Sequence, residues 1–63
     1  MRALTHRERE IVRLVAEGLC NKSIAQRLGI AEGTVKVHMH NIYRKLQVSN
    51  RVRLAISLYG LFI

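Results

Sequence analysis

Apolar side chains recur at three- and four-residue intervals along nearly the whole chain, the spacing of helices with one buried face. Thr5 and Glu8 stand three apart at the first such stretch, a capping box that predicts a helix over about 6–17. Glu8 and Glu10 also suit the positive end of its dipole. Ile11, Leu14 and Val15 form its apolar stripe with Val12 beside it, and Glu17-Gly18 closes it. Leu19 and Cys20 form a short link, with Cys20 expected as a half-buried small side chain. Asn21 is expected to cap a second helix, Lys22 to Leu28, with Ile24, Ala25 and Leu28 inward. Gly29 ends that helix and Ile30 returns an apolar side chain to the core. Residues 29–32 then make the tight turn of a helix-turn-helix.

A third helix is predicted from near Glu32. At roughly 100° per residue, Val35, His38, Met39, Ile42 and Leu46 share one band, assigned to the core. On this inward band His38 is expected as a satisfied, partly buried side chain. Ala31 occupies the N-cap without a side-chain acceptor, which costs about 1 kcal/mol relative to Ser or Thr. Gly33 weakens the first turn further, so packing is expected to hold it, with a phosphate on its free N–H groups as an addition. Gln47 to Asn50 form a connector in which Val48 tucks inward. Asn50 or Ser49 caps a fourth helix, expected from Arg51 to about Gly60.

The fourth helix carries two apolar bands. Val52, Ala55, Ile56, Tyr59 and Ile63 make one, and Leu54, Leu58 and Leu61 make the other. A chain of 63 residues buries only one band of a terminal helix. The expectation is that Leu54, Leu58 and Leu61 stay exposed and pair with a partner; the alternative is that the last turn folds over the core. Together the periodicities predict an all-α, compact four-helix bundle containing a helix-turn-helix, one domain over residues 1–63.

Charge sharpens this picture. The formal net charge is +7. Residues 1–32 carry six Lys/Arg and four Glu, a balance of +2, whereas 33–63 carry five Lys/Arg and no acid, a balance of +5. The positive field therefore lies on the second half, and nucleic acid is the leading partner. On the third helix, Val37, His40, Asn41 and Arg44 stand opposite the apolar band, with Lys36 and Lys45 on its flanks. A polar, basic outward face suits a major-groove reader, although an ordinary amphipathic surface helix has the same pattern. With one cysteine and no Cys/His cluster, neither an internal disulfide nor a structural metal is expected. No leader is expected at the N-terminus, and the greasy stretch from Leu54 to Ile63 is too short to span a bilayer. His38 and His40 diverge on a helix and have no acid or thiol set to partner them, so neither catalysis nor cofactor binding is expected.

Several motifs carry a resemblance. They are Leu4-Thr-x-Arg-Glu-x-Glu10, Leu14-Val-Ala-Glu-Gly18, Asn21-Lys-x-Ile-Ala25, Leu28-Gly-Ile30, Glu32-Gly-Thr-Val-Lys-Val-His38, Asn41-Ile-Tyr-x-Lys-Leu46 and Val48-Ser-Asn-Arg51. In register over essentially the whole chain, they resemble the LuxR-type helix-turn-helix found as the DNA-binding output domain of NarL/FixJ response regulators. The resemblance implies double-stranded DNA as partner, with the third helix in the major groove. It implies base contacts from Lys36, Val37, His40 and Asn41, and phosphate contacts from Lys22, Thr34, Arg44, Lys45 and Arg51. Val35, His38, Ile42 and Leu46 would hold the helix on the core. It further implies a homodimer through the fourth helix, to which Leu54, Leu58 and Leu61 are assigned. A receiver domain before residue 1, RNA polymerase as a further partner and a cytoplasmic, nucleoid-associated location belong to the same implication. The chain departs from the family pattern at Ala31, His40, Arg53, Cys20 and Ser23. The rival readings are a helical protein-interaction or dimerisation module without specific DNA binding, and a single-stranded RNA binder, for which Tyr43 and Tyr59 lack interleaved cations.

Overall fold

Thr5 and Glu8 start the first helix as their spacing requires: the Glu8 N–H donates to Thr5 Oγ1 at 3.1 Å, and the Thr5 N–H donates to Glu8 Oε1 at 2.8 Å. In the computed structural model, which describes the backbone of residues 3–62 and side chains through Tyr59, this helix, α1, spans His6–Ala16. It is followed by α2 (Asn21–Leu28), α3 (Glu32–Leu46) and α4 (Arg51–Phe62).

The first three helices end in one way. Gly18, Gly29 and Gln47 adopt positive φ, at 91°, 70° and 56°. The apolar residue that follows each one donates its N–H back five residues, Leu19 to Leu14, Ile30 to Ala25 and Val48 to Tyr43. This 6→1 bond satisfies an orphan carbonyl and turns the chain back, so Leu19, Ile30 and Val48 all pack on the core. Glycine enters the left-handed region freely; Gln47 does so at a cost.

The core gathers Ile11, Leu14 and Val15 of α1, Ile24 and Ala25 of α2, Val35, Met39 and Ile42 of α3, and Leu54 and Leu58 of α4. No buried side-chain nitrogen or oxygen among the described residues lacks a hydrogen-bond partner. None of the described helices is long and apolar enough to cross a membrane.

Three local expectations are corrected. The N-cap of α2 is Cys20, not Asn21, and no side chain caps that end. Cys20 is exposed rather than half-buried. The two bands of α4 are exchanged: Leu54 and Leu58 are 0% and 3% exposed, while Val52, Ile56 and Tyr59 are 68%, 64% and 70% exposed. Leu61 and Ile63 lie outside the residues whose side chains are described.

The physical reason lies at the start of α4. Asn50 Oδ1 caps the helix by accepting the Arg53 N–H at 2.9 Å. Arg51 reaches across to the beginning of α2, where its guanidinium donates to Asn21 Oδ1 at 2.9 Å and to the Leu19 carbonyl. With Arg51 turned inward, positions three and seven residues on, Leu54 and Leu58, face inward with it. The helix then continues two residues past the expected end.

Candidate nucleic-acid interface

α3 is divided lengthwise. Val35, Met39 and Ile42 are buried against α1 and α2, and Leu46 is half-buried at the edge of the core. His38 is half-buried, and no hydrogen bond to its ring occurs among the described residues. Its place on the inward band stands, without a bonded partner.

The opposite face is free of intramolecular partners. Thr34, Lys36, Val37, His40 and Arg44 are exposed, and Asn41 is half-buried. Val37 is 61% exposed, an apolar side chain left in solvent on an otherwise polar face. Lys36, His40 and Arg44 follow at four-residue intervals and so form one row along the helix. Acidic residues are absent from 33–63, and the ion pairs among the described residues are His6–Glu10, Arg7–Glu10 and Lys45–Glu8. Nothing neutralises the row.

The local cause is the turn between α2 and α3. Gly29 in the left-handed region and Ile30 on the core let α2 pack across α3, which commits the apolar band inward and sends the basic row out. The first turn of α3 is not capped by a side chain, as Ala31 requires. Lys22, on the first turn of α2, is also exposed and unpaired among the described residues.

Two residues expected at phosphate are engaged elsewhere. Lys45 Nζ lies 2.7 Å from Glu8 Oε1, and the two side chains are 19% and 4% exposed. Burial pushes the Glu8 carboxyl up, but the Lys45 ammonium and the Thr5 N–H outweigh burial and hold it below its ordinary value. Lys45 is therefore a tie between the end of α3 and the start of α1, not a free cation. Arg51, bonded to Asn21 and Leu19, ties α4 to α2 in the same sense. Cys20 Sγ lies 3.4 Å from Ser23 Oγ, and that hydrogen bond, with the Ser23 backbone N–H at the helix start, holds the thiol below its ordinary value.

Residues 2–58 match the family model described as bacterial regulatory proteins, luxR family. The chain belongs to this family. As a LuxR-type helix-turn-helix domain it is a DNA-binding, non-catalytic module. It is 51% identical over 53 residues to the nitrate/nitrite response regulator protein NarL of Escherichia coli (strain K12), covering 84% of this chain and 24% of that protein. To the probable transcriptional regulatory protein SgaR of Hyphomicrobium methylovorum it is 48% identical over 59 residues, covering 94% of this chain and 28% of that one. Among solved structures, response regulator StyR aligns with a TM-score of 0.84 at 48% identity, over 92% of this chain and 29% of that chain. The response regulator ChrA of a heme-sensing two-component system aligns with a TM-score of 0.86 at 39% identity, over 97% and 30% respectively. The LuxR-type domain thus spans less than a third of the length of these relatives.

Two features of this LuxR-type domain escaped the sequence reading. Glu8 was assigned only to its cap, because nothing local brings a residue 37 positions away to it. The exposed stripe Val52, Ile56 and Tyr59 was assigned to the core; the signal that finds it is Arg51-Leu54-Leu58, an i, i+3, i+7 set that begins with an anchoring side chain.

Proposed function

We propose that the domain reads double-stranded DNA through the outward face of α3, as the output part of a longer bacterial transcription regulator. The observation that carries this reading is the un-neutralised row Lys36, His40 and Arg44 with Val37 exposed beside it. Lys36 hydrogen-bonds a major-groove acceptor such as guanine O6 or N7, Val37 packs on a thymine methyl, and His40 and Asn41 extend the base contact. Thr34, Arg44 and Lys22 hold phosphates. Lys45 and Arg51, expected at phosphate from the sequence, act from behind by fixing α3 and α4 on the core.

Two copies pair through α4 and read two half-sites, with Val52, Ile56 and Tyr59 in place of the buried Leu54 and Leu58. The response-regulator relatives support a receiver domain preceding this segment, a two-component setting and a cytoplasmic location with nucleoid association on DNA. RNA polymerase is the further partner this role requires.

The test is an unbiased duplex selection with the domain, repeated with Lys36→Ala and Ile56→Glu. The wild type enriches paired half-sites. Lys36→Ala loses preference at its contacted position by about 1–3 kcal/mol, and Ile56→Glu enriches single half-sites. Enrichment of nothing at low salt overturns the proposal.

A further inference from the structure

Resting on that assignment of α3 to the groove, His40 makes the site sensitive to protons. It occupies the centre of the exposed row, one helical turn from Lys36 and one from Arg44, with Cβ separations of about 5–6 Å. These neighbours draw a polyanion onto the row. α1 and α2 pack on the other side of α3, and among the described residues none of their ionisable groups is bonded to His40. Those groups are His6, Arg7, Glu8, Arg9, Glu10 and Arg13 on α1, Glu17 at its cap, Cys20 at the α2 cap, and Lys22 and Arg27 on α2. On α3 itself, Glu32, Lys36, His38, Tyr43, Arg44 and Lys45 complete the set, and α4 brings Arg51, Arg53 and Tyr59.

We propose that DNA binding by this domain takes up a proton at His40, so that the imidazolium is the form that meets the groove. Histidine is the side chain whose charge ordinarily changes between pH 5 and 8. A phosphate or a base acceptor favours the charged form, and by linkage the proton favours the complex. The charge also changes what is read. Neutral imidazole offers one donor and one acceptor, whereas imidazolium offers two donors and no acceptor. Guanine presents two acceptors in the major groove, while adenine N6 and cytosine N4 present donors. Acidification therefore tightens binding and moves the preference at the contacted base towards guanine.

The test measures binding of the domain to a fluorescein-labelled mixed-sequence duplex by anisotropy at about pH 5.5 and pH 8, on either side of the histidine range. The wild type binds about tenfold more tightly at the lower pH, the effect of a one-unit linkage. Its salt slope is steeper there by about 0.9, one further phosphate neutralised. His40→Gln binds with neither difference, His40→Lys binds tightly at both pH values, and His6→Gln behaves as the wild type. Calorimetry in buffers of different ionisation heat reads uptake of about half a proton near pH 6.5 for the wild type and none for His40→Gln. Equal pH dependence in the wild type and His40→Gln overturns the inference while leaving the groove assignment in place. Absence of wild-type binding at both pH values at low salt overturns both.

Discussion

Glu8 does two jobs with one carboxylate. The same oxygen accepts the Thr5 N–H and the Lys45 ammonium, so the cap of α1 and the anchor of α3 are one object. A buried, paired charge is costly to leave alone: Lys45→Ala is expected to lower stability by about 3–5 kcal/mol, with Glu8 left unpaired. The pH dependence follows from the direction of the shift. A carboxyl held below its ordinary value of 4.5 contributes stability above that value and loses it as pH falls through the folded-state value. Urea denaturation therefore shows the stability gap between wild type and Glu8→Gln closing on acidification below about pH 4.5, while Glu10, Glu17 and Glu32 act alike in both. A gap that is constant with pH would count against the pair. This range lies below the one in which His40 is tested.

At the scale of elements, the helices differ in how well their ends are made. α1 has a complete capping box, and α4 has Asn50, whereas α2 and α3 start on Cys20 and Ala31 with no side-chain cap. α3 is thus the working helix with a poor first turn. Ala31→Ser is expected to raise stability by about 1 kcal/mol. Gly33→Ala adds a similar amount, since a Cβ there meets nothing within 4 Å and alanine is the better helix former by about 1 kcal/mol. Thermal unfolding checks both, and a fall in melting temperature for either would mean that the first turn is constrained by more than its cap. If Gly33→Ala stabilises the fold but weakens DNA binding, close backbone approach is the reason for glycine at that position.

The whole molecule turns on the phase of α4. Two helical stripes of similar composition were available, and a core this small takes one. Leu58 is inside, so Leu58→Ala is expected to cost about 2–5 kcal/mol of stability, read by urea denaturation. Ile56→Glu, outside, changes monomer stability by no more than about 0.5 kcal/mol. It removes pairing on a duplex with two half-sites, read by sedimentation of the complex. Pairing that survives Ile56→Glu would direct attention away from this stripe. The exposed stripe and the basic row of α3 are separate surfaces, one for a second copy and one for DNA, which is the division of labour that paired half-site reading requires.

Local chemistry was enough for the helices and their ends. The capping box at Thr5 and Glu8, the Gly18-Leu19 and Gly29-Ile30 turns and the three-and-four spacing act over a few residues, and such short-range determinants can be read in order along a chain. The outward face of α3 was equally readable, because Val35, Met39 and Ile42 leave Lys36, Val37, His40 and Arg44 no other direction. Contacts between distant residues decided the rest. Lys45 and Arg51 look like free cations until α1 and α2 are packed beside them, where one meets Glu8 and the other meets Asn21 and the Leu19 carbonyl. The choice between the two stripes of α4 had no local signal of comparable strength, since both are apolar at helical spacing. It was settled by the tie of Arg51 to α2, which sets the rotation of the helix and puts Leu54 and Leu58 in the core.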